Sequence, residues 1–256
     1  MNTSQRAAST ALLCATLAAG ATACGSGGTN PASQASPAAA SAPAAPSSSA
    51  GPLDGLSAGE VATKAIANLK AAKSVRMVGN GKSSGTSMSM DVSIAPGRGC
   101  TGKISMGSSG SFEIVVIGTK VWMKPDTVFW KSVGGSDPAT LKALTGKYYS
   151  TSAKSSGLGS LAGLCDLTKN MTDSIGNVSG ATKGPIATVN GQKVIPIDGT
   201  GAGGTMDISD SATPLILRVV TTGADNGQLD FTDYNKTLTL TAPPAGETRD
   251  GAAYGM

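Results

Sequence analysis

The stretch SMSMDVSIAP, residues 87–96, alternates without a break. Met88, Met90, Val92 and Ile94 fall on one face, and Ser87, Ser89, Asp91 and Ser93 on the other. This period of two marks an antiparallel strand with one apolar and one wet face. Residues 73–82 precede it as a further strand. GCTGKISMG (99–107) and SFEIVVIGTKVWMKPD (111–126) continue the pattern, with turns at Gly107–Gly110 and Gly118–Thr119. The span 73–124 therefore reads as a meander of about five strands.

Upstream, Ser57-Ala58-Gly59-Glu60 forms a capping box, and Val61, Ala65, Ile66, Leu69 and Ala72 recur at helical spacing. An amphipathic helix is predicted over 57–72. Downstream, residues 125–184 show short helical patterns broken by Gly and Ser. Strands return in PIATVNGQKVIPIDGT (185–200), a hairpin turning at Asn190-Gly191. GTMDISDSATPLILRVVTTG (204–223) and GQLDFTDYNKTLTLTAP (227–243) complete the set, the latter including a closing strand. No long crossover helices separate the strands. The fold class is α+β, with one strongly curved antiparallel sheet and helices across one face.

The N-terminal region reads differently. Arg6 is the only charge before Cys24, and 7–19 is mostly Ala and Leu. That is the pattern of a secretory signal, too short for a spanning helix. Ala21-Thr22-Ala23 followed by Cys24 resembles the bacterial lipobox, in which the mature chain begins at a lipid-bearing cysteine. Residues 1–23 are read as signal and Cys24 as the lipidation site, palmitate being one acyl chain of such anchors. One chain anchors only marginally, so several are expected. From Gly25 to Pro52 the residues are small and uncharged. Such a segment cannot bury enough surface to offset its ordering entropy. A tether over 24–56 and a single domain over 57–256 follow, with the chain lipid-anchored outside the cytoplasm.

Composition narrows the chemistry. There is no histidine. That removes Ser-His-Asp and Cys-His catalysis and every histidine-bearing zinc site. Twenty basic and sixteen acidic residues give a net charge of +4. No basic cluster suggests nucleic acid. Gly-x-Gly-x-x-Gly occurs at Gly97–Gly102 and Gly199–Gly204, but neither copy opens a helix as a phosphate cradle requires. Gly81-Lys82-Ser83-Ser84-Gly85 has the spacing of a nucleophile elbow without the helix or base, and reads as a turn. Asp207 and Asp210 have the spacing to pair near a calcium ion, but acids on a strand surface are the far commoner reading. No enzyme activity, cofactor or metal is expected. Cys14 leaves with the signal and Cys24 takes lipid, so Cys100 and Cys165 remain as an even pair in an oxidising compartment and are expected to bond.

The apolar face is rich in methionine, with Met77, Met88, Met90, Met106 and Met123. Methionine adapts to varied apolar partners. Two readings stand. The face is a packed core, or it lines a cavity that a ligand fills. In the second reading the lining comprises Met77, Met88, Met90, Val92, Ile94, Ile104, Met106, Phe112, Ile114 and Trp122, with Phe129 and Trp130 at the mouth.

GRGCTGKISMGSSGSFEIVVIGTKVWMKPD (97–126) and PLILRVVTTGADNGQLDFTDYNKTLTLTAPP (214–244) resemble the actinobacterial LppX/LprG-type lipoproteins of the LolA/LolB-like group. The resemblance spans about residues 57–246. It implies an incompletely closed barrel of about 11 strands with helices across its mouth. It also implies binding and carriage of lipid, without catalysis, at the outer face of the cytoplasmic membrane. The competing reading is a non-catalytic scaffold lipoprotein with a filled core that contacts protein or cell wall.

Overall fold

The computed structural model describes residues 51–254 apart from 136, 156, 176, 177, 179 and 201–203. The expected signal over 1–23, the expected lipidation site Cys24 and most of the expected tether lie outside the described residues. The first helix, α1 (Ala58–Lys70), is capped as its sequence dictates: Ser57 accepts from the Glu60 N–H, and Glu60 reaches back to the Ser57 N–H. Leu53 is only 3% exposed and packs into the core, and the Lys183 amine donates to its carbonyl. The folded part therefore starts upstream of the expected boundary at 57.

The meander follows as β1 (Val75–Ser83), β2 (Thr86–Ala95), β3 (Gly99–Ser105), β4 (Ser111–Ile117) and β5 (Lys120–Pro125). Then come α2 (Thr127–Ser132), α3 (Pro138–Leu144), β6 (Tyr148–Ser152), a 3-10 segment (Gly157–Asp166) and α4 (Leu167–Ile175). The second set of strands is β7 (Thr182–Lys183), β8 (Ala187–Val189), β9 (Gln192–Thr200), β10 (Gly204–Ser209), β11 (Ile216–Thr221) and β12 (Gly227–Thr232), with β13 (Thr248–Asp250) last. All belong to one sheet, ordered β13-β6-β5-β4-β3-β2-β1-β12-β11-β10-β9-β7, with β8 also on β9. Every pairing is antiparallel except β13 with β6. Its path has two ends, so hydrogen bonds do not close it. Among the described residues the strands number 13 against about 11 expected; β7, β8 and β13 are pieces of two or three residues, and the strand expected over 237–241 does not form.

The predicted turns are where the sequence puts them. Ser84 and Gly85, in the elbow-like pentapeptide, form the β1–β2 turn with φ of +50° and +80°. Asn190 and Gly191 do the same between β8 and β9 at +50° and +76°. Both pairs meet the left-handed demand of two-residue hairpins.

Register fixes the faces. Met77 lies opposite Val92 and Phe231, and Ile114 opposite Met123. With Ile94, Cys100, Tyr149, Ile197, Met206, Ile208 and Ile216 these residues form the inner, buried side. Arg76–Asp91 and Arg218–Asp230 are cross-strand ion pairs on the outer side. Ile208 is fully buried. Ile208→Val is expected to cost about 0.5–1.5 kcal/mol, read as a lower midpoint in urea at unchanged slope.

One predicted strand is not a strand. The alternation in TLTLTAPP is real: Leu238 and Leu240 are half-buried while Thr237, Thr239 and Thr241 are exposed. Yet this segment makes no ladder. Both edges of β1, which it leaves alongside, are already taken by β2 and β12. Asp233 and Asn235 turn with φ of +55° and +58°, and Ser74 holds the chain through Asn235 and Lys236. The segment then runs over the outer face to Ala242 and Pro243, beside Trp122, and ends in β13. Alternation thus reports a half-buried extended chain, whether its partner is an edge or a face.

Candidate ligand-binding cavity

The inner face of β2 carries a gradient. Ile94 and Val92 are fully buried, Met90 is half-buried, and Met88 is 39% exposed. The same alternating strand is core at one end and wall at the other. Three glycines explain why the wall is open. Gly79 and Gly81 of β1 and Gly227 of β12 occupy inner-face positions at this end. A Cβ at Gly79 would sit 2.3 Å from the Gln228 carbonyl oxygen, so the two strands approach too closely for a side chain. No side chain from these positions fills the space above them.

That space is a cavity of about 780 Å³. Its sheet side presents Met88, Met90, Ile104, Val219 and Leu229; its cover presents Leu164, Leu167 and Met171 from the 3-10 segment and α4. The charged groups on it, Lys82 and Asp225, are exposed at the hairpin ends, where the Asp225 carboxylate accepts from the Ser84 N–H.

The cover is stapled down. Cys165 lies between Leu164 and Leu167 and bonds Cys100 on the inner face of β3, with Cα atoms 5.2 Å apart. The expected disulfide is present, and it ties the 3-10 segment that carries Leu164 to β3.

The sequence-based lining divides in three. Met88, Met90 and Ile104 line the cavity. Met77, Val92, Ile94, Phe112 and Ile114 belong to the packed core, and Met106 packs against it, half-buried. Trp122 is on the other face: it pairs with Val115 and Ser150, and its burial comes from the outer segment around Pro243. Phe129 and Trp130 do not form the cavity's mouth. They stack edge-on with Phe112 and Tyr149 and plug the β4–β6 side. Leu164, Leu167 and Met171 escaped sequence reasoning. The amphipathic run LTKNMTDSI was visible, but nothing local says which core it roofs.

Asp207 and Asp210 part company. The Asp210 carboxylate holds the Lys193 amine at 2.8 Å, while Asp207 lies on the outer face beside Arg218 and Asp198, where burial raises its pKa. No group of three or more potential metal ligands occurs among the described residues.

Several carboxylates are held below their ordinary range. The Arg76 hydrogen bond does this for Asp91, and the Thr140 N–H for Asp137. For Asp126 burial pushes upward but is outweighed by the Phe129 N–H and by Ser111. A lowered folded pKa contributes stability that is complete above the unfolded value, about 4, and is lost as pH falls through the folded one. Asp207 acts in the opposite sense and is outnumbered. With no histidine to titrate, the melting temperature should be flat from about pH 5.5 to 8 and fall below about pH 4. Thermal melts across that range check this.

The sheet, its helical cover and the apolar cavity define a class: an α+β open-barrel protein with an internal pocket. LprF from Mycobacterium bovis has this fold, with a TM-score of 0.54 at 15% identity over 73% of this chain and 96% of that one. The lipoprotein LppX from Mycobacterium tuberculosis aligns at 0.48 and 13% over 72% and 98%. No family model and no curated protein matches the sequence.

Proposed function

We propose that the chain is a lipid-anchored extracytoplasmic protein that binds the acyl part of a lipid, or a similar apolar molecule, and carries it at the outer face of the cytoplasmic membrane without catalysing a reaction. The cavity supports this reading most. At about 780 Å³ it falls within the range of about 300–1,000 Å³ typical of small-molecule sites. Its walls offer methionine, leucine and valine, and charge is confined to the rim. Such a lining binds by surface burial, roughly 0.8 kcal/mol per methylene. The alternative, a scaffold with a filled core, accounts for the packed half of the sheet and leaves the cavity without a use.

A fluorescent fatty acid titrated against the full chain tests the reading. Saturable binding, competed by unlabelled fatty acid, supports it, and no binding at any concentration below micelle formation contradicts it. The anchor is tested separately. Wild-type protein should partition into detergent and Cys24→Ala should not; equal partitioning of both would contradict lipidation at Cys24.

A further inference from the structure

Strand register separates the described methionines into two sets. Met77 lies between Val92 and Phe231, Met123 between Ile114 and Tyr149, and Met206 between Ile197 and Val219. Each has a large side chain on both neighbouring strands, and none is more than 2% exposed. Met88 and Met90 instead lie opposite Gly81 and Gly79 on β1, so no side chain covers them from that strand. Met88 also lies beyond the last pair between β2 and β3, Ser89 with Ser105. It is exposed, and Met90 is half-buried. Met171 lines the same cavity from the cover and is half-buried too. The glycines that open the cavity thus uncover thioether sulfur on its wall. Met106, beside the 107–110 turn, is the one other half-buried methionine among the described residues, and it packs against the core.

Accessible thioether sulfur is oxidised to the sulfoxide, which makes a flexible apolar side chain polar. With hydrogen peroxide the step balances simply. The O–O bond breaks and an S–O bond forms. Sulfur gives up two electrons, peroxide takes them, and its second oxygen leaves as water. In the packed core the sulfur is shielded. On the cavity wall the new oxygen projects where an apolar ligand would lie. An acyl chain has no donor to offer it, so covering the oxygen weakens binding. A bound chain, in turn, shields the sulfurs of Met90 and Met171.

We propose that Met88, Met90 and Met171 form an oxidation site: peroxide converts them to sulfoxides in the empty cavity and thereby lowers its affinity for apolar ligand. The proposal rests on the reading of the cavity as a lipid site and adds its regulation by oxidants. The filled cavity resists the modification, and the modified cavity resists filling.

Hydrogen peroxide treatment of the full chain, with each methionine followed by peptide mass mapping, tests this. Met88, Met90 and Met171 should gain oxygen about tenfold or more faster than Met77, Met123 and Met206. Preloading with fatty acid should slow Met90 and Met171. Urea midpoints show whether the oxidised chain is folded. Its affinity for a fluorescent fatty acid should fall by about tenfold or more from its own value before treatment. The combined variant Met88→Leu, Met90→Leu, Met171→Leu is compared with itself, and its affinity should be the same before and after peroxide. Met106→Leu should lose affinity on treatment as the wild type does. Oxidation at equal rates in core and cavity, a folded oxidised chain that binds as before, or an equal loss in the triple variant overturns the proposal. If the untreated wild type binds no fatty acid, the cavity reading fails and the proposal falls with it. If it binds, and goes on binding with the three methionines oxidised, the proposal alone fails.

Discussion

Met90→Lys should fold and should lose fatty acid binding by about 100-fold or more. Met90 is half-buried, one residue pair inward of exposed Met88 on the same face. A lysine there can turn its amine toward the mouth, so the empty protein tolerates it. A bound acyl chain would close over that amine. Covering a charge with hydrocarbon costs several kcal/mol, and about 2.7 kcal/mol is already a factor of 100. Leu229→Trp reaches the same end by filling the space, with no charge involved. Urea midpoints show that each variant is folded, and fluorescent fatty acid titration reads the loss. Wild-type affinity in both folded variants would place the ligand elsewhere.

Replacing both cysteines, Cys100→Ala with Cys165→Ala, should lower stability by about 4 kcal/mol. The bridge closes a loop of 65 residues, and the chain-entropy model gives that magnitude. The consequence for binding is specific to this fold. Cys165 stands between Leu164 and Leu167, two of the cover residues, and the bond ties them to the floor at β3. Without it the roof lifts more often, so fatty acid should dissociate faster while its association changes less. Stopped-flow displacement resolves the two rates. An unchanged dissociation rate in the bridge-free protein would mean that the disulfide stabilises the core without holding the cover.

The alternation at 87–96 and the turn pairs at Ser84-Gly85 and Asn190-Gly191 made the sheet legible, because they depend on local periodicity and backbone sterics. The capping box marked the start of α1 for the same reason. Local pattern failed where the partner was remote. Leu238 and Leu240 alternate with threonines as a strand would, but the sheet had no free edge beside them. Trp122 looked like lining because aromatic burial does not reveal which face is buried. Phe129 and Trp130 plug the wrong side for the mouth, since a cluster of rings says nothing about strand order. The cavity's place follows from absence of side chains at Gly79, Gly81 and Gly227, which becomes meaningful only once register puts the three on one face.

The central claim is that the cavity holds an apolar molecule in the protein as it exists in cells. Native mass spectrometry of the full chain, purified under the mildest detergent that releases it, tests this most directly. The account predicts a mass in excess of the covalent chain that disappears on denaturation, is extractable into organic solvent, and is absent from folded Met90→Lys. A wild-type spectrum showing only the covalent mass, from protein that also takes up no added fatty acid, would contradict it.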